Sequence, residues 1–253
     1  MNKKFLSQNF LIDQNIKKKI IDSININKND IILEIGAGNG AISKDLSILA
    51  KQTILIEIDT SLIPHLKNKL KHINNKEIYN DDILKFNTKD IIKKYKMLRI
   101  IGNIPYKIST KIILNFIKFK KNIKDMHLVI QKEISNRLIK NNKFYSSSSV
   151  IIKYHFNIIN IFDIKPNSFK PIPKIKSSFI KLIPKKNDIK LLNYEIFKNI
   201  IKSSFNKKRK KIYKSIKNIK QFKKYINIYK RAENTTLNEY IRISNLLSIT
   251  KND

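Results

Sequence analysis

The sequence contains no cysteine. Disulfides and thiolate metal sites are therefore excluded. Its four histidines are scattered, so no metal centre is expected. No apolar run reaches the roughly 18 residues of a membrane span, and no membrane partner is expected. The opening residues, MNKKFLSQNFLIDQ, are basic but have neither a sustained apolar core nor a small-residue cleavage site. No signal peptide is read there. Glycine is also scarce, with four in 253 residues. Acidic residues are outnumbered: Asp and Glu total 19 against 53 Lys and Arg, for a net charge of +34.

That imbalance, with a pI near 10.1, points to a polyanionic partner, and nucleic acid is the commonest one. Nearly all the bases are Lys; the five Arg are at 99, 137, 209, 231 and 242. AT-rich codon drift would favour Lys, but it would also keep Asp and Glu. Drift does warn against counting each Lys as a contact.

Hydrophobic content of 42% supports a sizeable core. Short apolar runs predict strands at 31–35, 53–58, 77–80, 99–102 and 127–130. Apolar residues at three- and four-residue spacing predict helices over 41–50, 62–72, 88–95 and 110–119. Alternation of this kind predicts right-handed crossovers and a mostly parallel sheet. Two further runs, 150–162 and 177–183, read as β-rich around the loop KPNSFKPIPKIK, and YSSSS at 145–149 reads as a flexible loop. Residues 190–250 hold no Gly or Pro and show helical spacing. The expected division is a catalytic domain over 1–185 and a basic helical domain over 186–253.

Three of the four glycines, Gly36, Gly38 and Gly40, follow the first strand in ILEIGAGNG, and the fourth, Gly102, ends another. Glycines there let backbone approach a ligand at a helix N-terminus, although a tight turn would use them equally. No Gly-Lys-Ser/Thr follows, so this is not a phosphate loop, and the third Gly comes too early for the dinucleotide pattern. Glu57, 21 residues after Gly36, reads as an acceptor for ribose hydroxyls. Asp59 suits a helix cap. Asp82 can accept from an adenine amine, yet either Asp81 or Asp82 can be a simple cap. These strand ends together describe a nucleoside-type ligand across the carboxyl edge of a parallel sheet.

The spacing G-x-G-x-G resembles the S-adenosylmethionine (SAM) loop of class I methyltransferases. Asn103-Ile104-Pro105-Tyr106, ending the fourth strand, resembles the signature of methyltransferases acting on exocyclic or amide nitrogens. Eight segments in order (LSQNFLID, EIGAGNG, IEID, DDILKF, GNIPYKIST, LVIQKEISNRL, FKPIPKIKSS and SFNKKRKK) resemble the ribosomal RNA adenine N6,N6-dimethyltransferase family over nearly the whole chain. Gln131 and Glu133 in LVIQKE fit its small-subunit branch.

The resemblance implies a Rossmann-like, seven-stranded class I SAM-dependent methyltransferase with a small C-terminal α-helical domain. By the same resemblance, an N-terminal arm (1–15) closes Asn9 and Leu11 over SAM. Gly36 and Gly38 line the methionine end, Glu57 holds the ribose and Asp82 reaches the adenine. Asn103 sits between cofactor and target amine, where its oxygen and the Ile104 carbonyl take both N–H bonds of the adenine N6. Tyr106 stacks on the base, Pro105 counts with Asn103, Ile104 and Tyr106 in the catalytic tetrapeptide, and Phe169 is the second aromatic face; the alternative for Phe169 is a loop anchor beside prolines. Lys207, Lys208, Arg209, Lys210 and Lys211 would grip phosphates, or form a solvated helix face. The implied partner is small-subunit rRNA in an assembling 30S-type subunit, met by a monomer in the cytoplasm; the branch occurs in bacteria and organelles, and the lack of a presequence favours a bacterium. One departure stands out: Tyr145-Ser146-Ser147-Ser148-Ser149 replaces a Tyr-Gly-Arg-Leu-Ser-type segment. The rivals are the resistance-type 23S rRNA enzyme, a non-catalytic assembly or transcription factor on the same fold, and a nucleotide-dependent RNA-binding module.

Overall fold

The computed structural model describes residues 8–140, 146–186, 190–206 and 210–249. They form two compact units: one up to Ser135 plus Ile158–Pro184, the other Asn136–Asn157 plus the residues from Lys185 onward. The expected boundary at 185 is therefore one of several crossings, because residues 136–157 join the second unit.

In chain order the elements are β1 (Phe10–Leu11), α1 (Gln14–Ile24), β2 (Ile31–Ile35), α2 (Ser43–Leu49), β3 (Gln52–Glu57), α3 (Ile63–Lys69), β4 (Lys76–Asn80), α4 (Thr88–Tyr95) and β5 (Leu98–Asn103). Then come α5 (Ser109–Phe116), β6 (Ile123–Gln131), α6 (Lys132–Ile139), α7 (Ser147–His155), β7 (Phe156–Ile164), β8 (Phe169–Lys170), β9 (Ser177–Pro184), α8 (Tyr194–Asn206) and α9 (Leu237–Ile249). Seven strands make one sheet in the order β4-β3-β2-β5-β6-β9-β7. Its first five are mutually parallel, and β9 runs antiparallel to β6.

Every residue of β2, sequence IILEI, is buried. Near-continuous apolar runs are what a parallel strand covered on both faces requires. Where the strands begin, Arg99 is 3% exposed and uses all five N–H donors. It forks onto both oxygens of Asp125 at 2.8 Å, reaches Asp30 at 2.7 Å, and donates to the carbonyls of Ile24 and Asn25. Burial opposes ionisation of Asp125, but His127 at 3.6 Å and the Arg99 fork override it and hold its carboxyl well below the usual range.

In the second unit Val150 and Tyr154 of α7 share a core with Phe197, Ile201, Tyr240 and Ile243. Residues 150–155 and 146–149 thus depart from the expected strand and loop. Ser146 and Ser149 form a reciprocal capping box that starts α7. That cap and the aromatic packing outweigh the β preference of Val150-Ile151-Ile152. Between α8 and α9 the chain makes short 3-10 turns at Ile212–Lys214, Ile219–Phe222 and Ala232–Asn234, where helical spacing had predicted a helix.

Candidate active site

The chain begins the sheet at β2, steps outward to β4, then returns to the other side of β2 as β5. Strand order reverses between β2 and β5, and ligands of open α/β sheets bind outside the carboxyl ends at such a switch point. Here those ends are Gly36 and Asn103. Gly102 pairs with Ile35 across the seam. A Cβ on Gly102 would lie 2.7 Å from the Ile35 carbonyl oxygen, so any larger residue would push the two strands apart.

The glycine turn that follows β2 is strained for any other residue. Gly36, Gly38 and Gly40 have φ of +70°, +57° and +70°, the left-handed region that glycine alone visits cheaply. The turn is tied to the end of β3: the Gly36 N–H donates to the Ile56 carbonyl at 2.8 Å, and the Gly38 N–H to Glu57 Oε2 at 2.7 Å. Glu57 Oε1 accepts the Asp59 N–H at 2.8 Å. Burial raises the Glu57 carboxyl, and the N–H bonds from Asp59 and Gly38 work against that rise. Asp59 caps the next turn by accepting from Ser61. At the end of β4, Asp82 Oδ1 accepts the Leu84 N–H at 2.9 Å and Asp81 accepts the Asp82 N–H at 2.7 Å. Asp82 is therefore a turn-capping residue that also lines the cleft.

At the end of β5, Asn103 Nδ2 donates to the Asn9 carbonyl at 2.9 Å. With its amide nitrogen engaged by the N-terminal arm, Oδ1 is left as an acceptor. Tyr106, just beyond, shares a 2.6 Å hydrogen bond with Ser177 Oγ, and burial pushes its phenol pKa up. The arm itself is held by β1, which pairs antiparallel with β8 through Leu11 and Phe169.

Together these residues surround a cleft of about 1140 Å³, its open mouth included. Asn9, Leu11, Gly36, Gly38, Glu57, Asp82, Asn103, Ile104, Pro105 and Tyr106 all line it. Phe169 does not. Its ring is 0% exposed and packs behind the wall with Leu11, Val129 and Phe179, so the expected base-facing ring is corrected to the core anchor that was its alternative. The antiparallel β1–β8 pairing turns this side chain inward. Lys207, Lys208 and Arg209 lie outside the described residues; Lys210 and Lys211 are exposed.

Among the lining residues that sequence reasoning missed, Phe10, Phe179 and Glu34 matter most to the shape and charge of the cleft. Phe10 covers the glycine turn, its ring 3.3 Å from where a Gly38 Cβ would sit. Phe179 lines the floor from β9, and nothing local to its sequence marks it. Glu34 is 2% exposed, and burial pushes its carboxyl up to about 8. An acid inside the apolar run IILEI was the available signal.

The lining has a consequence for ligand chemistry. Glu34, Glu57, Asp81 and Asp82 contribute acids, yet none of the 53 Lys and Arg lines the cleft among the described residues. Such a lining suits a ligand that carries positive charge and ribose hydroxyls, and it opposes a phosphate. SAM, with a sulfonium and an ammonium, fits. Strand order, glycine turn and acid-lined cleft are those of a class I SAM-dependent methyltransferase.

The sequence profile of the family described as ribosomal RNA adenine dimethylase matches residues 1–251. The chain belongs to that family: it is a SAM-dependent enzyme that methylates ribosomal RNA. It is 42% identical to the ribosomal RNA small subunit methyltransferase A of Wigglesworthia glossinidia brevipalpis, over 98% of each chain. It is 36% identical to the protein of that name from Francisella tularensis subsp. novicida, over 97% of each. Among solved structures, a dimethyladenosine transferase from Plasmodium falciparum superposes with a TM-score of 0.78 at 27% identity, covering 96% of this chain and 98% of that one. The 23S rRNA methyltransferase ErmE shares the fold at a TM-score of 0.73 and 20% identity, covering 95% and 100%.

Proposed function

We propose that the chain transfers methyl groups to N6 of two adjacent adenosines in the 3′-terminal hairpin loop of small-subunit rRNA, giving N6,N6-dimethyladenosine. The observation that carries this reading is the junction of an acid-lined cleft, without a Lys or Arg among the described residues that line it, with Asn103-Ile104-Pro105-Tyr106 at the sheet's switch point. Both bacterial relatives named above bear small-subunit names.

When bound, SAM supplies an electrophilic methyl on a sulfonium; every other part is played by the chain. Glu57 accepts from the ribose hydroxyls, exchanging one of its backbone N–H bonds for a ligand bond. Asp82 meets the adenine end, Gly36 and Gly38 leave room beside the methionine tail, and Asn9 and Leu11 cover it. The target N6 lone pair is delocalised into its ring and is a weak nucleophile. Asn103 Oδ1 and the Ile104 carbonyl accept its two N–H bonds and favour a pyramidal nitrogen with the lone pair aimed at the methyl. Positioning of this kind supplies most of the rate. The Tyr106 ring stacks on the extruded base, and its hydroxyl is tethered to Ser177. The proton leaves after the nitrogen has become cationic, so no buried general base is required. Because the monomethyl product must react again, the space beside Asn103 admits one methyl group.

The substrate we assign is an assembling 30S-type particle in the cytoplasm, met by a monomer, with Lys207, Lys208, Arg209, Lys210 and Lys211 on its phosphates. The test is methyl transfer from radiolabelled SAM to unmethylated small subunits and, separately, to large-subunit RNA. Label as N6,N6-dimethyladenosine on small subunits alone is expected. Label on large-subunit RNA, or none with RNA binding retained, would overturn the assignment.

A further inference from the structure

Residues 210–231 contain nine basic residues and no acidic one. A solvated basic surface explains the lysines, but not the aromatic rings set among them. Two short stretches of this segment run side by side: the Ile212 N–H donates to the Lys230 carbonyl at 2.9 Å, the Tyr213 N–H to the Ile228 carbonyl at 3.2 Å, and Lys211 bridges Arg231 antiparallel. Ile212 and Ile228, at 0% and 2% exposure, face the core. Of their neighbours, Tyr229 is exposed and Tyr213 is half-buried.

The two rings meet edge-on, centroids 5.5 Å apart and 62° between planes. Tyr229 is 59% exposed. Lys211 Nζ lies 5.7 Å from the Tyr229 centroid and Lys214 Nζ 5.8 Å from that of Tyr213, within cation–π range. Tyr213 also leans on the helical core, which fixes the pair. An exposed, braced ring flanked by cations has the two elements of single-strand recognition: a stacking face for a base, and charges for the phosphates beside it.

We infer that Tyr229, braced by Tyr213 and flanked by Lys211 and Lys214, is a stacking platform for an unpaired nucleotide of ribosomal RNA, distinct from the base that enters the cleft. This inference rests on the reading of the chain as an rRNA-modifying enzyme. Lysines alone would hold duplex and single strand alike through their phosphates; the ring adds a preference for RNA with an unstacked base.

The full chain is compared as native protein, Tyr229→Ala, Tyr229→Phe and Lys211→Gln. Each is titrated by fluorescence anisotropy with a 12-nucleotide unstructured RNA, with the same RNA made abasic throughout, and with a duplex, at two salt concentrations. Tyr229 is outside the core, so unchanged thermal unfolding is expected for Tyr229→Ala. Affinity for the base-bearing strand should fall about five- to a hundredfold in Tyr229→Ala, with little change for the abasic strand or the duplex. Tyr229→Phe should bind as the native chain does, and Lys211→Gln should weaken all three ligands and flatten the salt dependence. Equal binding of the base-bearing strand by native and Ala proteins would overturn the platform, as would equal loss on all three ligands. Methyl transfer by the native chain to small subunits is measured alongside. Transfer with no Tyr229 effect sinks the platform alone; a Tyr229 effect without transfer to any rRNA sinks the enzymatic reading and leaves the RNA contact standing.

Discussion

Arg99 and Asn103 stand four residues apart on β5, one near each end of the strand, and their surroundings treat buried charge in opposite ways. Around Arg99 every donor is taken: Asp30 and Asp125 are each met by the guanidinium, and Lys124 adds a 2.8 Å bond to Asp30. Around Asn103 the acids Glu34 and Glu57 are just as buried, yet among the described residues no cation lines the cleft that they face. One end is finished as a folding unit. The other holds carboxyl groups whose natural counter-charge is a cationic ligand, and it bears the cost of keeping them out of water without one. The same sheet thus separates the stability of the protein from its chemistry.

The sharpest way to break this contrast is at the chemical end. Asn103→Ala should leave folding intact and lower methyl transfer about a thousandfold, since it removes an acceptor that acts on the reacting nitrogen; single-turnover transfer to small subunits reads the loss. At the opposite end, Arg99→Ala should destabilise by about 4 kcal/mol by stripping the buried Asp125 carboxylate of its guanidinium fork and leaving Asp30 to Lys124 alone. Calorimetry should then show Tm lower by about 10 °C with transfer by the folded fraction unchanged. The Asp30 and Asp125 carboxyls are held low in the fold. Their contribution is present above the unfolded value of about 3.8 and is lost as pH falls below it.

Glu34 should show the inverse dependence. Its folded value of about 8 lies above the ordinary 4.5, so its contribution is full below pH 4.5 and is lost as pH rises towards 8. Glu34→Gln removes that slope, and denaturant unfolding at pH 8.5 should find the variant more stable by about 3 kcal/mol. A variant no more stable at pH 8.5 than at pH 5, relative to the native chain, would show the two ends to be alike. The smallest effect belongs to Tyr106→Phe. It loses the bond to Ser177, worth about 0.5–1.5 kcal/mol, but keeps the ring, so transfer should drop less than about tenfold.

Much of this was legible in the sequence because parallel strands buried on both faces are written as apolar runs. β2 and α4 appear at the expected residues, and β3 and β5 within one residue of them. The glycine turn and Asn103-Ile104-Pro105-Tyr106 were readable because the backbone and the reacting nitrogen tolerate few residue types there. What escaped depends on distant partners. α7 carries a β-like run made helical by packing against Phe197 and Tyr240. Phe169 was assigned by motif, but its direction is set by the pairing of β8 with an arm more than 150 residues earlier. Arg99 looked like one base among many, since Asp30 and Asp125 lie 69 and 26 residues from it.

The placement of α7 in the second unit has a consequence for the order in which the protein is made. Val150 and Tyr154 leave the ribosome well before Phe197, Ile201 and Tyr240, the side chains that will cover them. At about 5–20 residues per second, even the gap to Phe197 lasts several seconds. Through that interval the nascent chain holds a helix with no core to join, and β7, whose one neighbour in the sheet is β9, stays unpaired until β9 follows. A chain cut at 185 would complete the sheet but leave α7 without that core permanently.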